Sequence, residues 1–333
     1  MPVSDTDPNA DLAMIDTVAQ DALHLWDLPA TARASRINVS ENVTYRIDAG
    51  TDRAVLRVHR PGYHSHRAIA CELAWIEALR ANGTVRTAAM RTGRNGDEIQ
   101  RASLADGTQR FLVMFDFIDG AAPSEDASLT TGFAELGALA AQTHLHSIGW
   151  SRPEPFERLT WDLDAVFGKD AHWGNWRDAP NVTPDIREVL EQAEATVRAR
   201  LTRFGKSADR YGLIHADMRL ANLIQTPNGT ALIDFDDCGF GWHLYDFAAA
   251  ISFIEDNPQI PALKRAWLAG YRTVRALPED QAAELDTFIM LRRMALLAWI
   301  GSHINAPEPQ ALAPDFARVS AELALKYLDT VST

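Results

Sequence analysis

Three polar residues in the second half of the chain have the types and spacing that metal-assisted phosphoryl transfer needs. Asp217 and Asn222 stand five apart in the segment Leu213-Ile214-His215-Ala216-Asp217-Met218-Arg219-Leu220-Ala221-Asn222, and Asp234 follows in Leu232-Ile233-Asp234-Phe235-Asp236. Moving a phosphoryl group asks for little covalent chemistry from a protein. One carboxylate orients the attacking hydroxyl and takes its proton, while an amide oxygen and a second carboxylate hold Mg²⁺ against the phosphate oxygens. The apolar residues on either side predict a strand entering a tight loop with Asp217 and Asn222, then a hairpin through Pro227-Asn228-Gly229 whose second strand carries Asp234.

The elements that position these residues follow from periodicity and punctuation. Residues 11–26 read as an amphipathic helix, and residues 32–39, 42–48 and 53–60 as strands, with Ala49-Gly50-Thr51-Asp52 as a hairpin turn. A helix is expected over 64–83, where Ala68, Cys71, Trp75, Ile76 and Leu79 recur at helical spacing and Asn82-Gly83 supplies the stop. Residues 87–93, 98–104 and 110–118 read as further strands. Beyond Asp119-Gly120 the pattern turns mostly helical, with helices over 133–149 and from Thr183-Pro184 to Gly205. The fold class is therefore α+β: a small antiparallel sheet with one main helix in residues 1–119, and a larger, mostly helical part in 120–333.

Composition narrows the partners. The 333 residues carry a net charge of −13 with 47% apolar and 23% charged residues, which is ordinary globular composition and argues against nucleic acid or an anionic membrane as partner. No signal-like segment opens the chain and no apolar run is long enough to span a bilayer, so a cytoplasmic location is expected. Cys71 and Cys238 lack disulfide or zinc spacing and read as free thiols. Most of the acid excess falls after residue 120, which suits a cationic acceptor as well as plain solubility. Oligomeric state stays open.

On the two segments around Asp217 and Asp234 the chain resembles the aminoglycoside phosphotransferase and choline kinase superfamily, with its His-Gly-Asp-x-x-x-x-Asn and Ile-Asp-Phe-Asp signatures. Stress-response kinases and type II homoserine kinases look nearest. The resemblance spans roughly residues 39–254 and implies a two-lobed protein-kinase-like fold that uses ATP and Mg²⁺. It makes Asp217 the catalytic base and Asn222 and Asp234 the Mg²⁺ ligands, with His215 fixing the loop. Arg219 takes the place near the γ-phosphate where protein kinases have a Lys, with an ordinary ion pair as the alternative. Asp246 matches a buried acid that ties down the catalytic loop. Residues 1–119 become the nucleotide-binding lobe, and 120–333 hold the catalytic loop, the Mg²⁺ site and the acceptor region.

The nucleotide side departs from the family pattern. Val39 to Tyr45 contains no glycine, so a phosphate cradle there would rely on backbone N–H groups and the Ser40 hydroxyl, next to Asn42. Where the family has a Lys for the α- and β-phosphates, this chain has Arg57. Its four lysines, Lys169, Lys206, Lys264 and Lys326, all lie in the second half, so Arg57 is the cation available, and Glu72 in the following helix is its expected partner. The purine edge is expected to meet the carbonyl of Asp116 and the N–H of Ile118, with Phe115 behind it. Asp236 and Asp237, directly after the metal acid, are placed to meet a substrate ammonium or a second Mg²⁺, or else simply solvent.

The function implied is transfer of the ATP γ-phosphate to a hydroxyl of a small, amine-bearing molecule such as an aminoglycoside, choline or homoserine. A Ser/Thr protein kinase of the stress-response type and a non-catalytic nucleotide-binding pseudokinase are the alternatives. The short span from Asp234 to Tyr245-Asp246 and the missing Ala-Pro-Glu favour a small acceptor over a protein. His59, His64 and His66 cluster without a Cys or carboxylate to complete a metal set. Gly239-Phe240-Gly241 lacks the third glycine of a dinucleotide fingerprint and reads as a loop. Trp150, Trp161, Trp173 and Trp176 read as core, with the roof of an acceptor pocket as the alternative.

Overall fold

The computed structural model describes residues 8–39, 42–123 and 129–332. The chain forms two compact units: the first runs to Ala121 and takes in Arg152–Glu157 and Ile224–Asp236, and the second holds Ala122–Ser151, Arg158–Leu223 and Asp237–Thr333. A single cut at 119/120 thus leaves out two short returns of the later chain into the first unit.

The first unit opens with α1 (Pro8–Asp21), β1 (Arg33–Val39), β2 (Val43–Ala49), β3 (Asp52–Val58), α2 (His66–Asn82), β4 (Met90–Arg91), β5 (Ile99–Ser103) and β6 (Gln109–Asp116). The strands form one antiparallel sheet in the order β1-β2-β3-β6-β4, with β5 also on β6. Strand alternation decides its faces. Val43, Tyr45 and Ile47 of β2 and Leu56 and Val58 of β3 enter a core with Ile15, Val18, Ala19 and Trp26. Arg57, between Leu56 and Val58, must then point to the opposite face. The expected strand over 87–93 shrinks to Met90–Arg91, because only that dipeptide pairs with β6.

Helix α2 begins where Ser65 Oγ accepts the Ala68 N–H at 3.0 Å and ends at Gly83, whose φ of 72° suits a residue without Cβ. Its buried stripe includes Ile69, Glu72, Leu73, Trp75, Ile76 and Leu79. The later segments reach this unit through short contacts. Leu232 N–H donates to Arg86 O at 2.8 Å, Ala121 exchanges backbone bonds with Gln225, and the Phe235 ring packs edge-on against Trp75 at 5.4 Å.

The remaining elements are α3 (Leu129–Gly149), β7 (Leu159–Trp161), α4 (Leu163–Phe167), α5 (Pro184–Phe204), β8 (Tyr211–Ile214), β9 (Leu223–Thr226), β10 (Gly229–Leu232), β11 (Gly239–Trp242), α6 (Tyr245–Ala250), α7 (Ile260–Val274), α8 (Glu279–Ala282), α9 (Leu285–Ser302) and α10 (Pro307–Ser332). In the second unit β11 lies between β7, parallel to it, and β8, antiparallel. Gly239-Phe240-Gly241 is therefore a central strand and not a loop. Its glycines are needed for packing, since a Cβ on Gly239 would sit 2.4 Å from Leu159 O and one on Gly241 2.6 Å from Ile214 Cδ1. Helices α3 and α7 cross at two glycines, where a Cβ on Gly137 would meet Trp267 O at 2.0 Å. Helix α9 is buried nearly throughout, with α5, α6 and α10 packed on it. Trp161, Trp173 and Trp176 are buried core.

Candidate active site

The loop after β8 is built around Asp246, which is fully buried at the start of α6. Its Oδ1 accepts the Ala216 N–H at 2.7 Å and its Oδ2 the His215 N–H at 3.3 Å. Those bonds hold Ala216 at a φ of 65°, a left-handed conformation that an alanine adopts only under such restraint. His144 Nε2 lies 2.9 Å from the same Oδ2, and its Nδ1 lies 3.0 Å from Tyr271 Oη. Burial lowers the His144 pKa well below its ordinary value, so a neutral ring donates from Nε2 to Asp246. Burial also pushes Asp246 up to about 6, against the opposing pull of His215 and the two N–H groups.

Past this turn, Asp217 N–H donates to His215 Nδ1 at 3.3 Å, which gives His215 a loop-fixing contact. Asn222, in a short 3₁₀ turn, donates from Nδ2 to the Asp217 carbonyl at 2.7 Å and to its Oδ2 at 3.0 Å. With its nitrogen so engaged, Asn222 has its amide oxygen left for a metal. Arg219 Nε lies 3.1 Å from Asp217 Oδ1. From α9, Arg292 brings Nη2 to 3.6 Å from the same oxygen. The structure thus gathers Asp217, Asn222, Arg219 and His215, and adds an arginine 70 positions further on that motif reading did not single out. Its signal was present in the sequence: Arg292-Arg293 interrupt an otherwise apolar helix.

In the first unit Arg57 Nη2 donates to Glu72 Oε1 at 2.6 Å, the pairing expected from the family resemblance and from the cost of an unpaired buried arginine. Its Nη1 lies 3.7 Å from Asp236 Oδ1 and 3.9 Å from Asp234 Oδ1. Burial works against this cation, yet Glu72, Asp236 and Asp234 together hold its pKa above the ordinary value. The Phe115 ring lies 5.5 Å from the guanidinium. Asp234 is not on a strand: β10 stops at Leu232, and Asp234 turns out at a φ of 61° while Phe235 goes down onto Trp75. That turn leaves the Asp234 side chain 46% exposed, so its carboxylate is open to a ligand.

The other expected residues fall as follows. Asp236 is 6% exposed and faces the Arg57 guanidinium and the rings of His59 and His64, so its carboxylate is engaged with buried groups of the first unit. Those contacts outweigh burial and keep its carboxyl below the usual carboxylate range. Asp237 is half-buried, and its carbonyl accepts the Trp161 indole N–H at 2.8 Å. Asn42 Oδ1 accepts the Arg60 N–H at 3.0 Å, bracing the end of β3. Asp116 pairs with Arg91 through its side chain and gives its N–H to Ala89 O, while Ile118 N–H has no partner among the described residues. Ser40 lies outside the described residues.

These groups fit Mg²⁺. A carboxylate and an amide oxygen are hard donors, and Mg²⁺ takes one or two such protein groups while phosphate and water complete its shell. Among the described residues no group of three His, Cys, Asp or Glu could hold a metal, His59 and His64 included. No helix among them is long and apolar enough to cross a membrane.

Comparison with known proteins agrees with this chemistry. The chain is 40% identical to a microcompartment-associated aminopropanol kinase of known structure, over 94% of this chain and 98% of that one, with a TM-score of 0.88. It is 23% identical to the amicoumacin kinase of Bacillus subtilis, over 77% of this chain and 76% of that protein. A solved amicoumacin kinase in complex with AMP-PNP, Ca²⁺ and Ami shares the fold at a TM-score of 0.77 and 20% identity, covering 95% of this chain and 96% of that one. The model of the phosphotransferase enzyme family (APH) matches residues 33–277. The chain belongs to that family, with an α+β protein-kinase-like fold, and is a small-molecule phosphotransferase.

Proposed function

We propose that the chain transfers the γ-phosphate of ATP to the hydroxyl of a short amino alcohol. Mg-ATP, when bound, supplies the phosphoryl group and a cation that offsets charge on its oxygens. Asp217 orients the acceptor hydroxyl and takes its proton, Asn222 and Asp234 hold Mg²⁺, and His215 fixes the loop. Arg57, kept in place by Glu72, grips the phosphates where this chain has no lysine. Arg219 leaves its ion pair with Asp217 to meet charge developing on the transferred group. Residues 1–119 serve the nucleotide, with Phe115, Asp116 and the open N–H of Ile118 toward the purine, and 120–333 serve catalysis and the acceptor. Asn42 belongs to the segment that serves the phosphates, and Asp237 is the acid offered to the acceptor's ammonium.

The observation that carries this reading is the Asp217 carboxylate, held at Oδ2 by Asn222 and open enough, at 15% side-chain exposure, to meet a hydroxyl. The acidic balance of the chain and its likeness to an aminopropanol kinase support a small aminated acceptor. ADP release measured over aminopropanols, ethanolamine, choline, homoserine, aminoglycosides and amicoumacin tests it. The highest kcat/KM should fall on an aminopropanol. Silence across the panel in protein that binds Mg-ATP overturns the reading.

A further inference from the structure

A guanidinium inside an apolar helix must find partners, because an uncompensated buried charge is strongly destabilising. Arg292 has only 3% of its side chain exposed. Its Nε donates to Ser252 Oγ at 3.1 Å, its Nη1 donates to Tyr245 Oη at 3.3 Å, and the Trp173 ring lies 5.1 Å from Cζ. Burial acts against the charge, but Tyr245 and Asp217 keep its pKa above the ordinary value. The fork is therefore fixed by neutral groups on α6 and its neighbours, whatever the substrate does. Its remaining nitrogen, Nη2, faces Asp217 Oδ1 at 3.6 Å.

Arg219 differs in kind. It reaches the same Oδ1 from within the loop, and its side chain is 36% exposed. One arginine can swing away and the other cannot.

We propose that Arg292 is a positioning residue for the transfer reaction, a buried guanidinium that fixes the direction of the Asp217 carboxylate at Oδ1 while Asn222 fixes it at Oδ2. The inference rests on the reading of Asp217 as the group that takes the acceptor's proton. With both oxygens held from the protein side, the carboxylate keeps one orientation when Arg219 departs, and the acceptor hydroxyl meets it already aligned. A misplacement of about 1 Å in such a group can cost about 10²-fold in rate.

The test is a set of variants assayed for kcat and KM per folded molecule, with folding followed by thermal melts. Arg292→Met should lower kcat by about 10²-fold and Arg292→Lys by about tenfold, with both KM values within about twofold of wild type. In an Asp217→Asn background, Arg292→Met should change the residual rate no further, since there is no carboxylate left to direct. A purely packing role would instead lower rates equally in both backgrounds, and that result, or a wild-type kcat in the folded Arg292 variants, overturns the proposal. Where Arg292→Met does not fold, Arg292→Lys and Tyr245→Phe, which removes one anchor of the fork, decide it by the same kcat comparison. A fully active Asp217→Asn removes the Asp217 assignment and this inference together; an inactive Asp217→Asn with silent Arg292 variants removes this inference alone.

Discussion

Arg57 and Glu72 are joined by a 2.6 Å hydrogen bond from Nη2 to Oε1, with their side chains 7% and 0% exposed. The pair ties β3 to α2 and aims a guanidinium fork in place of a lysine ammonium. Removing one member leaves the other charged and buried, partly relieved for Arg57 by Asp236 at 3.7 Å. Glu72→Ala should lower unfolding free energy by about 3 kcal/mol in urea titrations. Arg57→Ala should weaken Mg-ATP binding by about tenfold or more, the equivalent of one charge-assisted hydrogen bond, read by calorimetric titration. Unchanged nucleotide affinity would remove Arg57 from the phosphate contacts.

Asp234 stands outside the strand ladder at a φ of 61° with nearly half its side chain exposed, as a ligand to an incoming cation should be. Asp234→Asn removes the one negative charge that the proposed ligands Asn222 and Asp234 offer Mg²⁺, since an asparagine amide is neutral, without changing the side chain's shape much. The Mg²⁺ concentration giving half-maximal rate should rise by about tenfold or more, and Asn222→Ala should act in the same direction. A chelator should abolish turnover of the wild type, and added Mg²⁺ should restore it.

Asp246 makes stability depend on pH in an unusual direction. Its carboxyl is raised to about 6 in the folded state by burial, from an ordinary value of 3.8. Between those values the folded form binds more protons than the unfolded one, so this residue's contribution falls as pH rises through the window. Ionising it costs up to about 3 kcal/mol, fully present above pH 6 and absent below pH 4. Relative to wild type, Asp246→Asn should therefore show stability that climbs more steeply with pH from 4 to 6, measured by urea unfolding at each pH. Parallel curves would mean that Asp246 does not titrate in this range.

The crossing of α3 and α7 depends on two glycines that touch the facing backbone. A Cβ on Gly270 would lie 1.8 Å from Ala134 O, and one on Gly137 would lie 2.0 Å from Trp267 O. Backbone atoms cannot rotate out of the way as a side chain can, so the helices would have to move apart. Gly270→Ala should destabilise the protein by about 3 kcal/mol, the upper end of overpacking costs, although alanine is the better helix former. A thermal melt unchanged from wild type would refute this packing.

Much of the fold was legible because it rests on local rules. Period-2 alternation located β2 and β3, Gly50 marked their turn, Asn82-Gly83 closed α2, and Thr183-Pro184 opened α5. Alternation also puts Arg57 on the face opposite Leu56, while its pairing with Glu72 was expected from the family resemblance. Two local readings failed where sterics from distant residues ruled. Gly239-Phe240-Gly241 looked like a loop, but Leu159 and Ile214 press on it from both sides, and only glycine lets it run between them as a strand. The strand expected to carry Asp234 ends two residues early because Phe235 packs on Trp75, a helix residue 160 positions away in the chain.

By itself the amino-acid sequence determined which groups are available for chemistry: an Asp and Asn five apart, an Asp after a hairpin, and a nucleotide side with arginine but no lysine. Spacing along a loop is a local property, so those assignments needed no third dimension. Tertiary structure alone decided what holds and charges them. That Asp246 carries the backbone of Ala216, that Asp236 stands beside Arg57, and that Arg292 faces Asp217 are contacts between residues 30 to 179 positions apart. Such contacts arise when helices and strands bury their apolar faces together, and no periodicity in the chain records which buried charge will meet which carboxylate.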